Sequence, residues 1–130
     1  SGGTASSLNY YEDWTASGAT IGGCIASTSC NPRIIRTGKQ CTIYFPGVAL
    51  TSASSTNTMT TTALPSRFYP ANTNLRFLCS VINNSAYLTG HIEVSSTTGV
   101  ITVYSDLNAG TFTAATFVAC HPTSFSYLVA

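Results

Sequence analysis

The chain has little charge. Its 130 residues include five lysines and arginines and four aspartates and glutamates, so only 7% of the chain is charged, against about 25% in an ordinary soluble domain. The formal net charge of +1 provides neither a basic surface for nucleic acid nor a polybasic patch for anionic lipid. We therefore expect no nucleic-acid partner. The low charge also leaves little repulsion between copies of the chain, which favours self-association.

Long apolar runs and helix-forming residues are also scarce. No apolar stretch reaches the roughly 18 residues that a membrane-spanning helix needs, so we expect no membrane insertion. Helix-favouring residues are few outside strand-like runs, whereas serine and threonine together supply 38 residues. Plentiful β-branched and aromatic residues argue against the disordered class. The length fits one domain that can bury a core.

The residue patterns typical of catalysis and metal binding are missing. The chain has no Gly-x-Ser-x-Gly elbow, and a glycosidase pair would have to be drawn from only four carboxylates. Cys24 and Cys30 are too far apart in the chain for the usual zinc knuckle. We predict a protein that is not an enzyme and that needs no metal or other cofactor.

The cysteines do not form an even set. Five are present, so they cannot all pair within one chain. Cys79 and Cys120 lie in apolar, strand-like runs, where we expect small buried thiols. Cys24 and Cys30 flank a short loop rich in serine and threonine, and a disulfide that closes this loop is one alternative.

Strand signals, in contrast, are dense. Apolar or alternating runs separated by turn residues cover residues 41–45, 75–82, 87–94, 100–104, 111–120 and 124–129. The run at 75–82 is almost continuously apolar, which is typical of a central strand covered on both faces. A threonine-rich run at 58–62 predicts a solvent-facing strand. Strands that recur about every ten residues indicate an all-β fold, either a compact antiparallel β-sandwich or a jelly-roll-like barrel.

The N-terminal part of the chain looks different. We interpret residues 1–7 as a linker or a cloning scar and residues 8–130 as a single β domain. Irregular or edge structure is expected over the rest of the first forty residues. Arg33, Arg36 and Lys39 form a small basic patch around a turn, predicted to be solvated surface.

Two residues of one predicted strand are the candidates for ligand binding. Apolar and polar residues alternate in the strand at 87–94, so His91 and Glu93 share its polar face. Their Cβ atoms should be roughly 7 Å apart, and together they could grip a sugar hydroxyl, since Glu accepts hydrogen bonds and neutral His can donate and accept. Two ordinary outward-facing polar residues would give the same pattern. His121 precedes Pro122 and is expected to lie in a loop.

Residues 64–70, Leu-Pro-Ser-Arg-Phe-Tyr-Pro, resemble the Leu-Pro-x-x-Phe-x-Pro segment of phage tail-fibre and receptor-binding head domains. The hairpin sequence at 90–101 is similar to that of lactococcal-phage receptor-binding heads. The resemblance covers the C-terminal half of the chain. It implies a jelly-roll-like head at the tip of a trimeric fibre, on the virion surface and outside the cell, that binds a host saccharide without catalysis.

The same resemblance implies a saccharide pocket. In the lactococcal-phage heads a His-x-Asp strand pair takes part in that pocket, and His91 and Glu93 occupy the matching positions here. The family's pocket also uses a Trp and an Arg further along the chain. This chain has no Trp after Trp14 and no Arg after Arg76, so it departs from the family's pattern there.

Other partners and functions stay open from the sequence. A protein receptor could be bound through loops at 26–31, 52–57 or 106–110. The alternative function is a secreted or cell-surface lectin-like or C1q/TNF-like β-sandwich binding module. A structural capsid or fibre component comes next, and a small hydrolase is least favoured. We expect a homotrimer, because a small, nearly neutral β domain gains by burying its aromatic surface between copies.

Overall fold

The structure is a computed structural model and describes residues 10–23, 28–51 and 58–130. The strands of this part are β1 (Tyr11–Thr15), β2 (Thr20–Gly22), β3 (Thr28–Ser29), β4 (Arg33–Thr37), β5 (Gln40–Phe45), β6 (Val48–Thr51), β7 (Met59–Thr61), β8 (Leu75–Asn83), β9 (Ala86–Val94), β10 (Ile101–Tyr104), β11 (Phe117–Cys120) and β12 (Thr123–Leu128). A single turn of 3-10 helix covers Ser66–Phe68.

The strands form two sheets, and all the pairings between them are antiparallel. One sheet has four strands in the order β1-β4-β5-β12, and the other has eight in the order β3-β2-β7-β10-β9-β8-β11-β6. The eight-stranded sheet is nearly closed and barrel-like. The predicted all-β antiparallel architecture is confirmed. None of the described residues belongs to a helix long and apolar enough to cross a membrane.

A long two-stranded ribbon joins the two sheets. β5 pairs with β12 in the four-stranded sheet, and their continuations β6 and β11 pair in the eight-stranded sheet. Pro46 and Gly47 separate the strands on one side of the bend, and His121 and Pro122 separate them on the other. Proline has no N–H to give to a ladder, so it marks the point where each strand leaves its sheet.

The core lies between the two sheets. Its fully buried side chains include Ile34, Ile43 and Phe45 from the four-stranded sheet and Val81, Ile92 and Val103 from the eight-stranded sheet. Phe68 of the proline-rich segment is also fully buried, with its ring centroid 5.4 Å from that of Trp14. The Tyr127 hydroxyl donates a 2.6 Å hydrogen bond to the Phe68 carbonyl. The proline-rich segment is thereby fixed to β12.

For two of the predicted strands, the expected exposure of the side chains is wrong. The apolar run at 75–82 forms a strand between β9 and β11, but it is covered on one face only, and Leu78 is 68% exposed on the other. The threonine-rich run is not solvent-facing, because β7 lies between β2 and β10 with Met59 and Thr61 buried. The Thr61 hydroxyl accepts a hydrogen bond from the Ile101 N–H at 3.1 Å, which satisfies this buried polar group.

A third strand prediction is only partly right. Residues 117–120 form β11, but residues 111–116 form a loop instead of extending it. Side chains satisfy the backbone in this loop: the Thr113 N–H donates to Asn83 Oδ1 at 2.8 Å, and the Thr116 hydroxyl donates to the Thr113 carbonyl at 2.8 Å. Threonine and asparagine offer the backbone such alternatives to a sheet ladder.

The predictions for the N-terminal part need correction as well. β1 is an edge strand as expected, but β4 is an interior strand between β1 and β5. Arg36 is not solvated surface, because it is only 3% exposed. Its guanidinium donates to the carbonyls of Gly38 at 2.7 Å and Arg67 at 2.6 Å. Arg33, in contrast, is exposed and forms an ion pair with Asp13.

The cysteines of the described chain are free thiols. Cys79 and Cys120 are buried in strands, as predicted. Cys30 is also buried and free, and burial raises its pKa to about 11, so its thiol stays protonated at neutral pH. Cys24, the other half of the proposed loop disulfide, lies outside the described residues.

Candidate functional site

A tight turn sets the register of the hairpin that carries the candidate residues. Asn83 of β8 pairs with Ala86 of β9, which leaves Asn84 and Ser85 as the two turn residues. Both have positive φ, 50° and 64°, as a type I′ turn requires, and asparagine tolerates this conformation well. The two-residue length of this turn fixes every cross-strand pair of the hairpin.

This register brings five side chains together on the outer face of the eight-stranded sheet. Arg76 lies opposite Glu93, and Leu78 lies opposite His91. On the other side of β9, Tyr104 of β10 lies opposite His91. Directly opposed residues of antiparallel strands share a face and contact one another. The alternation predicted for β9 therefore places His91 and Glu93 on one face, with partners from both neighbouring strands.

His91 is buried, with 4% of its surface exposed, so it does not fit the alternative of an ordinary outward-facing polar residue. Its ring stacks on that of Tyr104 with the centroids 4.6 Å apart. His91 Nδ1 lies 2.8 Å from the backbone oxygen of Asp106. Because a carbonyl oxygen only accepts hydrogen bonds, Nδ1 is the donor, and Nε2 of the neutral ring carries the lone pair.

The loop that follows β10 explains this burial. The Asp106 carboxylate accepts hydrogen bonds from the backbone N–H groups of Asn108 and Gly110, both at 2.8 Å, and such Asx turns hold a loop in a single shape. A Cβ atom on Gly110 would overlap the Asp106 carboxylate, so the turn needs glycine there. The loop fixes the Asp106 carbonyl against His91 and places Leu107 beside the ring.

A cavity of about 170 Å³ lies at this point, lined by Arg76, Phe77, Leu78, His91 and Leu107. The two leucines are 68% and 61% exposed, so they are not core residues. His91 Nε2 is buried and, within the described chain, has no hydrogen-bond partner. Leaving a buried acceptor unpaired costs about 1–3 kcal/mol, which makes Nε2 the strongest candidate for a ligand contact.

Glu93 holds Arg76 by a single hydrogen bond. Arg76 Nε donates to Glu93 Oε2 at 3.0 Å, with side chains 66% and 15% exposed respectively. The two terminal amino groups of Arg76 have no protein partner among the described residues. A guanidinium of this kind can still donate two parallel hydrogen bonds to a carboxylate or another planar acceptor.

A second, more polar cavity adjoins the first at Arg76. It has a volume of about 570 Å³ and is lined by Asn72, Thr73, Asn74, Leu75, Arg76 and Ser96. Asn74 Oδ1 accepts hydrogen bonds from the Ser96 N–H at 2.9 Å and the Ser96 hydroxyl at 3.1 Å, which joins the two walls. Amide and hydroxyl side chains offer both donors and acceptors, as sugar hydroxyls require.

Exposed apolar side chains lie on the same outer face. Leu78, Tyr87 and Phe117 are 68%, 77% and 48% exposed. The Tyr87 ring stacks on His121 with the centroids 5.9 Å apart. His121 lies in the loop between β11 and β12, as predicted, and its Nδ1 is 2.8 Å from the Ser80 hydroxyl. The face thus combines apolar surface with unpaired polar groups.

No metal-ligand cluster is found in residues 10–23, 28–51 and 58–130, where no three His, Cys, Asp or Glu side chains converge. The carboxylates near the candidate site are engaged: Glu93 with Arg76, and Asp106 with its own loop. Burial raises the pKa of Cys41 to about 11, so this thiol is also protonated at neutral pH.

The sequence interpretation did not name Arg76 as a site residue, and it included Leu107 only as part of the loop at 106–110. Arg76 had a usable signal, because counting back from a two-residue turn at Asn84 and Ser85 places it opposite Glu93. Leu107 had none, since the position of its loop depends on contacts that no local pattern specifies. Of the three loops considered for a protein receptor, 106–110 borders the site, 52–57 lies outside the described residues, and 26–31 is described only in part.

Comparison with known proteins shows that the chain is similar in fold to a solved structure. No family model matches the chain, and no curated protein sequence matches it. Among solved structures, the chain is similar to the reovirus attachment protein sigma1 in complex with alpha-2,3-sialyllactose, with a TM-score of 0.53 and 15% sequence identity. The match covers 92% of this chain and 66% of the other, so this chain spans just under two thirds of that length. At this identity the likeness concerns the fold alone.

Proposed function

We propose that this chain is the receptor-binding head of a viral attachment protein and that it holds a host cell-surface saccharide on the outer face of the eight-stranded sheet. The observation that carries the proposal is that two groups without a protein partner among the described residues lie at adjoining cavities: the solvent-exposed terminal nitrogens of Arg76 and the buried Nε2 of His91. The fold likeness to a viral attachment protein whose structure contains a sialylated sugar supports it.

The chemistry of the site favours an acidic saccharide. The Arg76 guanidinium presents its free nitrogens at the edge of both cavities, and a carboxylate is its best planar partner. Glu93 limits the motion of Arg76 without occupying those nitrogens. The polar cavity formed with Asn72, Asn74 and Ser96 then receives the sugar hydroxyls.

Binding without chemical conversion is part of the proposal. A hydrolase of glycosidic bonds needs two carboxyl groups facing the substrate, whereas Glu93 is bonded to Arg76 and Asp106 to its own loop.

The proposal also includes assembly of the chain into a homotrimer on the virion surface. Shallow cavities bind weakly, and three copies on one fibre convert weak sites into firm attachment.

A protein receptor is the second candidate. It is favoured by the exposed Leu78, Tyr87, Leu107 and Phe117 around the site, since clustered exposed apolar side chains are typical of surfaces that bind proteins.

The test is binding of the chain, displayed in several copies on a carrier, to a panel of immobilised saccharides. We expect binding to a subset of the panel, stronger for saccharides that carry a carboxylate than for matched neutral ones. Binding to no saccharide would contradict the proposal. Binding to cells that survives enzymatic removal of surface glycans but is lost after protease treatment would favour the protein receptor instead.

A further inference from the structure

We propose that the cavity bordered by Leu78 and Leu107 is a subsite for the N-acyl group of an amino sugar. This inference rests on the proposed function and specifies which saccharide group enters the cavity. It starts from His91, whose ring is fixed by the hydrogen bond from Nδ1 to the Asp106 carbonyl at 2.8 Å and by the stacked Tyr104 ring. Because the ring is fixed, the direction of the unpaired Nε2 lone pair is fixed as well.

The walls of the cavity select between the groups that could donate to Nε2. A sugar hydroxyl would satisfy the nitrogen but would bring no apolar surface to the two leucine side chains. An N-acetyl group brings an N–H donor and a methyl group together. His91 lines the cavity and carries a buried, unpaired acceptor, and Leu78 and Leu107 provide apolar walls, so the cavity matches the acetamido group in both respects.

The geometry of the amide adds a third match. In a planar trans amide the N–H and the acyl methyl lie on the same side, and the carbonyl oxygen lies on the opposite side. The N–H and methyl can therefore enter the cavity together, with the N–H toward His91 and the methyl toward the leucines. The carbonyl oxygen is then left toward Arg76, which lines the same cavity and has unpaired terminal nitrogens.

The size of the cavity fits a small group. Its volume of about 170 Å³ corresponds to roughly five or six water molecules at about 30 Å³ each, enough for an acyl group and the edge of a sugar ring. His91 Nε2 itself has less than 1 Å² of exposed surface. Access therefore requires a rotamer change of Leu78 or Leu107, and both side chains are mostly in solvent, where such changes are unhindered.

The experiment uses pairs of sugars that differ only in the acetamido group. The pairs are N-acetylgalactosamine with galactose, N-acetylglucosamine with glucose, and N-acetylneuraminic acid with its analogue that carries a hydroxyl in place of the acetamido group. Each is titrated into the ¹⁵N-labelled chain, and the imidazole nitrogens are observed by NMR. The chain has two histidines, so His121, outside the cavity, serves as the internal reference.

We expect at least one N-acetyl sugar to shift the Nε2 resonance of His91 but not that of His121, and to bind about tenfold more tightly than its partner, as one hydrogen bond contributes. His91→Asn can keep an N–H donor for the Asp106 carbonyl, but its shorter side chain has no atom at the position of Nε2, so the variant should lose this preference. Leu107→Ser, at an exposed position, should reduce the preference without unfolding the chain. The matched control is Leu128→Ser, equally exposed on the other sheet.

The outcomes separate this inference from the proposed function. If saccharides bind but both members of every pair bind equally, or if His91 Nε2 does not respond, the N-acyl subsite is wrong and the receptor-binding role stands. If no sugar of the panel binds, both are contradicted.

Discussion

The two outer faces of the domain use their arginines differently. On the four-stranded sheet, Arg33 donates through Nε and a terminal nitrogen to the two carboxylate oxygens of Asp13, at 2.9 and 2.6 Å. On the eight-stranded sheet, Arg76 donates through Nε alone to one oxygen of Glu93, at 3.0 Å. The first guanidinium is held by a two-point pair, whereas the second is positioned with its terminal nitrogens still unpaired.

The other polar groups of the two faces follow the same contrast. On the four-stranded sheet the hydroxyls of Thr42 and Ser126 pair at 2.8 Å, whereas His91 on the eight-stranded sheet keeps an unpaired Nε2. Exposed apolar side chains occur on both faces, for example Tyr44 and Leu78, and so do not distinguish them. The difference lies in which polar groups have a protein partner. For His91 Nε2 the missing partner is informative, because buried polar groups in native proteins are rarely left unpaired without a reason.

The largest expected effect is on the free energy of unfolding, and it appears when substitutions on the two faces of β8 are compared. Phe77 points inward and stacks on Phe125 with the ring centroids 4.4 Å apart, whereas Leu78 points outward. Phe77→Ala should lower the free energy of unfolding by about 3 kcal/mol, at the low end for a large aromatic because the ring is half-buried. Leu78→Ala should change it by less than about 0.5 kcal/mol. Urea denaturation measures both, and similar losses for the two variants would show that the faces are wrongly assigned.

The next effect tests how the sheet supports the site. A Cβ atom on Gly90 would overlap the Tyr104 carbonyl oxygen and press on Val81. Gly90→Ala should cost about 1–3 kcal/mol, as overpacking does. It should also weaken saccharide binding, because Tyr104 stacks on His91 and precedes the Asp106 loop. Thr89→Ala, at the neighbouring exposed position, is the control. A Gly90→Ala protein with unchanged stability and binding would refute this coupling.

A smaller effect concerns the anchoring of Arg76. Glu93→Ala removes the carboxylate that holds Nε, so the guanidinium gains motion that binding must then restrict. We expect roughly fivefold weaker saccharide binding, or about 1 kcal/mol, with the oligomeric state unchanged. Titration calorimetry and sedimentation equilibrium measure the two quantities. An affinity equal to that of the parent would mean that Glu93 does not position Arg76.

The smallest expected effect is on stability in acid, and it comes from the ion pair between Glu12 and Arg67 near the proline-rich segment. Glu12 accepts hydrogen bonds from Arg67 at 2.9 and 2.7 Å and from the Tyr10 hydroxyl at 2.6 Å. These bonds, chiefly those from Arg67, hold the pKa of Glu12 below its ordinary value of 4.5. The stabilisation is therefore present above about pH 4.5 and is lost as the pH falls through the lower pKa of the folded state.

Glu12→Gln should accordingly lower stability at neutral pH and flatten the loss of stability in acid, so that the two proteins converge at the acid end. Urea midpoints measured as a function of pH test this, with Arg67→Gln expected to behave in the same way. Parallel curves for parent and variant would contradict it.

Much of the fold around the site was predictable from the sequence. Alternation in β9 correctly separates the side chains of Ile92 and Val94 from those of His91 and Glu93. The Asn84–Ser85 turn adds the register, because its chemistry allows a two-residue connection. Local periodicity of this kind is strong enough to survive tertiary context, and it defines which residues share a face.

What covers each face was not predictable in the same way. His91 is buried and bonded to the Asp106 carbonyl in the loop after β10, and Arg36 is buried and bonded to the Gly38 and Arg67 carbonyls. β7 is interior because strands from distant parts of the chain flank it. A period-two pattern reports which side chains share a face, whereas burial depends on segments far away in the sequence.

The most direct test of the account is the affinity of two arginine variants for the saccharide selected from the immobilised panel. Arg76→Ala should weaken binding about 10- to 100-fold, the range for losing hydrogen bonds from a charged donor. Arg33→Ala, which removes the paired guanidinium of the other face, should bind like the parent. Equal affinities for Arg76→Ala and the parent, or a larger loss for Arg33→Ala, would contradict the assignment of the receptor site to the eight-stranded sheet.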